Sequence, residues 1–299
     1  MLGTSLALRF LADRAATVEQ AEAVALDVFR ESARIFDAYD PSSELSRWNA
    51  APAGTTWNGS AELLAVLDRA FGWWERTGGA FHPGCDEAVR LWRAAEAAGA
   101  PPDQCVLREL ARRLEEPPWT RVGDTGVARG PATVRLDAIA KGHIVDRAIR
   151  AASEVPGVDA VLVNAGGDLR VEGGDGWIVP IADPQSLADN VAGEQVRIAS
   201  GAIATSGIGR RGFRIAGAWH GHLIDPRTAA PVEGAVLASA WAPEAADADA
   251  LATAAAVGTA EEAMAWADAA PGFAVRRVAV DGTIRTNTRW NALREGVAR

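Results

Sequence analysis

The chain has 299 residues, of which 48% are apolar, and a formal net charge of −9. This length and composition predict a globular protein with a substantial core and exclude a disordered tail. The acidic balance, with both signs interspersed, lacks the basic face that nucleic-acid phosphates require, so nucleic acid is excluded as a partner.

Cysteine content and the N-terminus bear on the compartment. Cys85 and Cys105 are too few for a disulfide framework and lack zinc-site spacing, so both are interpreted as ordinary thiols. Residues 1–20 have no charged leader and no clear cleavage site, and they predict a first strand. No apolar run is long enough for a transmembrane segment. We expect a cytoplasmic protein, or an exported or membrane-associated one if a signal was trimmed.

The first 115 residues are predicted to be mostly helical. The second helix has Ser60 as a plausible N-cap and Gly78-Gly79 as a plausible stop. The segments with helical patterns are 17–36, 60–79, 86–99 and 102–116.

From about residue 130, short apolar runs separated by glycine or aspartate predict strands. The runs are 132–140, 160–166, 169–173, 177–183, 195–200, 202–207, 213–217 and 235–242. Helices are expected from near Lys141 and across 243–258, and Asp281-Gly282 predicts a two-residue hairpin turn. The fold class is α+β in one domain over 1–299. A helix-rich part, about 1–125, packs on a largely antiparallel, sheet-rich part, about 126–299.

Four features suggest chemistry, and each has a structural alternative. Consecutive glycines in "NAGGDLR" (164–170) either let the backbone approach a ligand or make a tight hairpin bend. Asp249 and Thr253 lie four residues apart on a helix, so they either offer hard oxygen ligands to magnesium or serve as helix-capping and back-bonding groups.

Lys141 and His222 each have two possible interpretations. Lys141 in the first turn of a helix either favours an anionic group or is a solvated lysine. His222 either finishes a strand or acts as a general base near neutral pH.

Seven blocks, in this order along the chain, resemble the ApbE family, the flavin transferases that move FMN from FAD onto a protein. The blocks are "YDPSSELSRWN" (39–49), "GGAFHP" (78–83), "AIAKGHIVD" (138–146), "VNAGGDL" (163–169), "ATSG" (204–207), "HLIDPRT" (222–228) and "ADALAT" (248–253).

The resemblance implies a T-fold-like α+β architecture with FAD in a cleft and Mg²⁺ on its pyrophosphate. A threonine or serine hydroxyl of an acceptor flavoprotein would attack the FMN phosphorus and release AMP. The metal would be held by the Ala138 carbonyl, Asp249 and Thr253, and His222 would activate the hydroxyl. The residues expected to contact FAD are Tyr39, Ala80, Phe81, His82, Lys141 and Leu223.

The chain also departs from the family pattern. It has Arg135-Leu136-Asp137-Ala138 where members usually read Asp-Leu-Gly-Gly; if this segment is a strand, Asp137 shares a face with Arg135 and takes the missing carboxylate's role at the FAD site. Ala229 stands where glycine is usual.

Two other functions remain open: an FAD pyrophosphatase that releases FMN and AMP, and a non-catalytic FAD-binding protein.

Overall fold

The structure is a computed structural model that describes residues 4–182, 192–207 and 211–295. Its helices are α1 (Ala15–Phe36), α2 (Glu44–Ala50), α3 (Ala61–Arg76), α4 (Asp86–Ala98), α5 (Gln104–Arg113), α6 (Ala140–Ser153), α7 (Ala245–Val257), α8 (Ala260–Asp268) and α9 (Thr288–Glu295). Its strands are β1 (Leu6–Ala12), β2 (Thr56–Asn58), β3 (Trp119–Val122), β4 (Gly126–Arg129), β5 (Val158–Ala165), β6 (Asp168–Gly173), β7 (Trp177–Ala182), β8 (Ala192–Ile198), β9 (Gly201–Gly207), β10 (Gly212–Ile215), β11 (Ala218–Gly221), β12 (Ile224–Asp225), β13 (Ala230–Pro231), β14 (Ala235–Ala242), β15 (Ala274–Ala279) and β16 (Ile284–Thr286).

Seven strands form the main sheet, in the order β1-β5-β6-β9-β14-β15-β16, and each neighbouring pair is antiparallel. A small sheet has the order β2-β4-β3, and three ribbons pair β7 with β8, β10 with β11 and β12 with β13. The predicted α+β class and the largely antiparallel sheet are confirmed. The four predicted N-terminal helices are present as α1, α3, α4 and α5, and Ser60 accepts the Leu63 N–H as the N-cap of α3.

Both faces of the main sheet are covered. Helices α6 and α7 lie on one face, α6 against β5 and β6 and α7 against β9 and β14, with α1 packed on α6. On β5, Val161 and Val163 join the core under the helices, whereas Leu162 joins a second core with β7, β8 and α9. A strand buried on both faces needs a continuous apolar run, which accounts for the unbroken pattern of residues 160–163.

Helix α7 is enclosed by the sheet, α6 and α8. Because it is rich in alanine, its neighbours approach closely, and nearly all of its residues are buried. A helix that is apolar around its whole circumference belongs in a core, so polar residues on it need an explanation. Asp249 is such a residue, since it is only 6% exposed.

Two residues of α6 fix it against α7. A Cβ on Gly142 would lie 2.3 Å from the main-chain oxygen of Ala245, so only glycine permits this approach without a shift. The Asp146 carboxylate accepts the N–H groups of Ala245 and Ala246 at 2.7 and 3.0 Å. These amides begin α7 and have no partner inside the helix, so Asp146 satisfies them from the neighbouring helix.

The predicted strand over 132–140 is wrong. Residues 133–136 run outside the strands of the described chain, and 137–139 form a turn that leads into α6. The Asn49 side chain bonds both the N–H and the carbonyl of Val134 at 2.9 Å. The Arg135 N–H donates to the carbonyl of Pro83 at 2.8 Å. The backbone groups are therefore satisfied by a side chain and a loop instead of a strand ladder.

The C-terminal hairpin forms between β15 and β16, but the predicted two-residue turn is wrong. Ala279 donates to the carbonyl of Thr283 at 2.9 Å, so three residues lie between them, and Gly282 has φ of +84°. A three-residue loop with glycine in the left-handed region is the next most common hairpin connection.

The predicted run 177–183 is β7, with residue 183 outside the described residues. None of the described helices combines the length and apolar character needed to cross a membrane.

Candidate functional site

Three charged side chains meet where α6, α7 and the β5–β6 turn converge. Lys141 lies in the first turn of α6, Asp249 lies in the second turn of α7, and Asp168 begins β6. The Lys141 Nζ atom is 3.1 Å from Asp168 Oδ2 and 3.1 Å from Asp249 Oδ2. Both carboxylates are buried. We call Lys141, Asp168 and Asp249 the charged cluster.

The β5–β6 turn brings Asp168 into this cluster. Ala165 and Asp168 are paired, and the two residues between them, Gly166 and Gly167, have φ of +68° and +107°. Positive φ at both central positions is the requirement of the type I′ hairpin turn, which glycine meets without strain. The structure therefore supports the hairpin interpretation of "NAGGDLR", and the hairpin itself places a carboxylate against Lys141.

Burial and mutual charge shift the pKa values in the charged cluster. The pKa of Asp249 is raised above its usual value, first by burial and then by the charge of Asp168, although Lys141 opposes both effects. Burial alone would lower the pKa of Lys141, but the two carboxylates outweigh it and raise that pKa above its usual value. Lys141 therefore stays cationic, and its charge is what allows two carboxylates to lie close together in the core.

Asp137 reaches the cluster through its main chain. The Lys141 ammonium donates to the Asp137 carbonyl, whereas the Asp137 carboxylate lies 3.2 Å from Arg135 Nε. The Arg135 guanidinium lies 5.2 Å from the ring centroid of Tyr39, a residue that is 79% exposed. The structure thus joins Tyr39, Asp137, Lys141 and Asp249 in one chain of contacts.

The predicted residues Ala80, Phe81 and His82 lie in a buried loop between α3 and α4. The Phe81 N–H donates to Thr77 Oγ1 at 3.0 Å, and His82 Nδ1 accepts the Gly84 N–H at 2.8 Å. Burial lowers the pKa of His82 to about 4, against weaker opposing hydrogen bonds. Pro83, the residue after His82, accepts a hydrogen bond from the Arg135 N–H. This loop therefore contacts the segment of chain that leads to Lys141.

His222 and Leu223 follow the β10–β11 hairpin. The His222 N–H donates to the carbonyl of Arg211 at 3.0 Å, and its Nδ1 lies 3.2 Å from the same oxygen. Burial lowers the pKa of the half-buried imidazole, and the charge of Arg211 lowers it further. Leu223 packs against the main core. Within the described residues, no hydrogen bond or ion pair joins His222 to the charged cluster.

The loop of His222 and the loop of His82 are neighbours. Cys85 follows His82 by three residues, and Asp225 follows His222 by three residues. Burial raises the pKa of Cys85 to about 12, and Asp225 is close enough for its charge to raise that pKa further. Trp92 on α4 donates its Nε1–H to the carbonyl of Ala229 at 2.8 Å. Ala229 has φ of +53°, in the region that favours glycine, which is a physical reason for glycine to be usual at this position.

Ala138 and Thr253 are near members of the charged cluster along the chain. Ala138 follows Asp137 in the turn before α6, and Thr253 lies one turn after Asp249 on α7. The capping interpretation of Asp249 is wrong, because α7 begins after Glu244 and Asp146 binds its first amides. The metal-site interpretation stays a prediction, and the structure places the predicted FAD-binding residue Lys141 beside Asp249.

The donors near Asp249 fit a divalent cation. In the described part of the chain, no three His, Cys, Asp or Glu side chains form a metal-binding group. The predicted metal ligands are instead the Asp249 carboxylate, the Thr253 hydroxyl and the main-chain carbonyl of Ala138. Carboxylate and carbonyl oxygens already surround one positive charge here, that of Lys141, and such oxygens are the hard ligands that Mg²⁺ prefers.

Asp168 was missed by the sequence interpretation, which weighed the glycines of "NAGGDLR" and not its carboxylate. The sequence carried no local signal for it, because the importance of a carboxylate after a glycine turn depends on the partner that folding brings to it. A cavity of about 560 Å³ lies elsewhere, between β1 and residues 174–177, and none of the predicted site residues lines it.

Comparison with known proteins identifies the family of this chain. The model of the ApbE family matches residues 2–276. The FAD:protein FMN transferase of Treponema pallidum is 31% identical over 279 residues, which cover 85% of this chain and 76% of that protein. The FAD:protein FMN transferase of Rhodobacter capsulatus is 33% identical over 283 residues, which cover 90% of this chain but only 52% of that longer protein.

Solved structures show the same fold. The ApbE protein of Thermotoga maritima matches with a TM-score of 0.82 at 23% identity, covering 98% of this chain and 96% of that one. The flavin transferase ApbE of Vibrio cholerae matches with a TM-score of 0.78 at 24% identity, covering 97% of this chain and 96% of that one. The predicted ApbE architecture is confirmed. Together with the family match over residues 2–276, these relatives show that the chain belongs to the ApbE family of transferase enzymes.

Proposed function

We propose that the protein transfers FMN from FAD to a threonine or serine hydroxyl of an acceptor protein, with Mg²⁺ and with release of AMP. The observation that carries this proposal is the charged cluster, in which two buried carboxylates and a main-chain carbonyl surround the Lys141 ammonium. The Treponema pallidum relative is named an FAD:protein FMN transferase, which supports FAD as the donor and a protein as the acceptor. A dinucleotide pyrophosphate carries about two negative charges, which a divalent cation beside a lysine would neutralise.

The Ala138 carbonyl, Asp249 and Thr253 are the proposed metal ligands. When bound, Mg²⁺ would neutralise the pyrophosphate and stabilise the charge that develops on the transferring phosphoryl group. The burial of Asp249 on a largely apolar helix supports the assignment, because a carboxylate is costly to bury unless it serves a cation.

The proposed FAD-binding residues are Tyr39, Ala80, Phe81, His82, Asp137, Lys141 and Leu223. Tyr39 offers an exposed aromatic ring, and Lys141 offers a fixed positive charge. Asp137 holds Lys141 with its carbonyl and orients Arg135 with its carboxylate. The buried loop of Ala80 is bonded to the same segment, which supports a continuous binding surface.

His222 is the proposed general base. An Nδ1–H donated to the Arg211 carbonyl leaves Nε2 with its lone pair, and the lowered pKa keeps the ring neutral at pH 7. The acceptor oxygen then bonds to the FMN phosphorus while the bond to the AMP phosphate breaks, and His222 takes the hydroxyl proton. A positioned base of this kind contributes about 10²- to 10⁴-fold to a rate.

The direct test is incubation with FAD, Mg²⁺ and threonine-containing segments of flavin-bearing proteins, followed by mass spectrometry of the acceptor. We expect a mass gain of one FMN, which EDTA abolishes. Asp249→Ala should lose the metal-dependent activity. Asp247→Ala is the matched control, because Asp247 is on the same helix but bonds Trp73 and Arg69. No gain across several acceptors and metals would count against the proposal.

The same assay separates the two other functions. Free FMN and AMP released without any acceptor would indicate an FAD pyrophosphatase, in which water replaces the hydroxyl. FAD that binds and stays intact for hours with Mg²⁺ would indicate a non-catalytic FAD-binding protein.

A further inference from the structure

Lys141 is the only lysine in the sequence, and the other 29 of the 30 lysine and arginine residues are arginines. Its ammonium contacts three oxygens: the Asp137 carbonyl, Asp168 Oδ2 and Asp249 Oδ2. An ammonium is a compact charge with three donors, so it fits three converging oxygens, whereas the planar fork of arginine does not. Lysine therefore suits position 141 better than arginine would.

Asp168 is not among the proposed metal ligands or FAD-binding residues, although it is as buried as Asp249. It is 4% exposed, and within the described residues its Oδ2 accepts no hydrogen bond of acceptable geometry. The Lys141 ammonium at 3.1 Å is its charged neighbour. A carboxylate is costly to bury unless it serves an opposite charge, so the Asp168 side chain is there for Lys141.

We propose that Asp168 is a positioning residue that keeps the Lys141 ammonium in the site when Asp249 binds a divalent cation. The inference rests on the proposed function in one respect, that Asp249 is a metal ligand. The Asp249 carboxylate, which Lys141 shares, would then be engaged by the dication, whose charge would repel the ammonium. Asp168 then remains as the carboxylate that retains Lys141, and two cations can face a diphosphate together.

The formal charges show why one carboxylate is insufficient. One ammonium and two carboxylates sum to −1, and a divalent cation changes this sum to +1. Without the charge of Asp168 the sum would be +2 in a buried site. Repulsion of that size between cations in the interior of a protein displaces the more mobile one, which is the lysine side chain.

The presence of one lysine permits a direct measurement. Protein labelled with [¹⁵N]lysine gives one side-chain ammonium signal in NMR, and this signal is visible only while the ammonium protons exchange slowly with water. We expect slow exchange in the unsubstituted protein with and without saturating Mg²⁺. In Asp168→Asn we expect slow exchange without Mg²⁺, because Asp249 remains, and exchange about tenfold faster or more with Mg²⁺.

Glu194→Gln is the matched control, because it also converts a carboxylate to an amide in a partly buried ion pair, with Arg276, away from the cluster. We expect it to behave as the unsubstituted protein. Asp168→Ser, which is smaller and neutral, replaces Asp168→Asn if circular dichroism shows that the latter does not fold.

Three results would overturn the proposal. The first is slow exchange in Asp168→Asn with Mg²⁺, and the second is equal acceleration in Glu194→Gln, which would indicate general loosening. The third is fast exchange in the metal-free unsubstituted protein. FMN transfer is measured separately. A protein that transfers no FMN but shows the expected NMR pattern would refute the proposed function and retain the role of Asp168.

Discussion

His222 is half-buried beside the β10–β11 hairpin, and the surrounding protein holds its pKa below the usual value of 6.5. A base must be neutral to accept a proton, so this shift widens the pH range over which His222 is competent. The acidic limb of the pH–rate profile should therefore lie below pH 6.5.

We predict that His222→Ala lowers FMN transfer by at least about tenfold and leaves FAD affinity nearly unchanged, because a base acts mainly in the transition state. The acidic limb should also disappear from the pH profile. Transfer rates and FAD fluorescence titrations check both parts. His220→Ala, on the adjacent strand, is the control. A His222→Ala rate equal to that of the unsubstituted protein would remove His222 from the mechanism.

His82 makes the pH dependence of stability testable at a single residue. Its pKa in the folded protein is about 4, mainly because of burial, and its usual value is 6.5. The unfolded chain therefore binds more protons between these pH values. The contribution of His82 to the free energy of unfolding is fully present above pH 6.5 and is lost as the pH falls to 4. The shift corresponds to at most about 3 kcal/mol of unfolding free energy.

We predict that His82→Asn reduces this loss, because the asparagine oxygen can replace Nδ1 as the acceptor for Gly84 and does not titrate. Urea unfolding at several pH values between 4 and 7 checks the prediction. The difference in unfolding free energy between the two proteins should change with pH by up to about 3 kcal/mol. A constant difference would contradict a buried, neutral His82.

At the scale of elements, the contact between α6 and α7 sets the geometry of the charged cluster. Lys141 and Asp249 lie on different helices, and their separation depends on how closely those helices approach at Gly142. Asp146 reinforces the contact by binding the first amides of α7 and the guanidinium of Arg170. A change in helix spacing should therefore alter the charged cluster without touching its side chains.

We predict that Gly142→Ala destabilises the protein by about 1–3 kcal/mol, because the new Cβ would lie 2.3 Å from the carbonyl of Ala245. Gly72→Ala is a matched control in the exposed middle of α3, where a Cβ meets nothing within 4 Å. It should stabilise by about 0.5–1 kcal/mol. Urea unfolding checks both changes, and a neutral Gly142→Ala would show that the helices do not approach this closely.

At the scale of the whole molecule, one buried core contains residues from the N-terminal helices and from the sheet. Phe29, Trp48 and Leu67 belong to the same cluster as Val161 and Val275. We propose on this basis that the helix-rich and sheet-rich parts form one domain. Neither part could keep its share of this core if the other unfolded.

We predict one cooperative thermal transition, which Mg²⁺ with FAD shifts upward. A ligand at about 100 times its Kd adds about 2.7 kcal/mol to stability, which for a chain of this size raises Tm by roughly 5 °C. FAD with EDTA should shift Tm less. Calorimetry checks both points. Two separate transitions would contradict a single domain, and equal shifts with EDTA would contradict a metal that bridges the nucleotide to Asp249.

Several elements were predictable because their signals are local. The apolar stripe of α1, the Ser60 cap of α3 and the unbroken apolar run of β5 each lie within one stretch of chain. The ordered blocks carried Lys141 and Asp249 into the same predicted site, and the structure brings them within 3.1 Å. Local patterns and their order suffice for such features, since neighbours along the chain decide them.

The errors arose where distant residues decide the backbone. The segment at 132–140 has the composition of a strand, but Asn49, 85 positions from Val134, binds its backbone instead. Asp168 was missed for the same reason, because its significance depends on Lys141, which folding alone brings to it.

The sequence by itself determined the α+β class, most of the helices and strands, and the family to which the chain is similar. The tertiary structure alone decided which charges share the core, because the cost of burying a carboxylate depends on the partners that other elements supply. Nothing in the sequence pairs Asp249 with Asp168. They become a cation site only when α6 and the β5–β6 turn bring one ammonium between them.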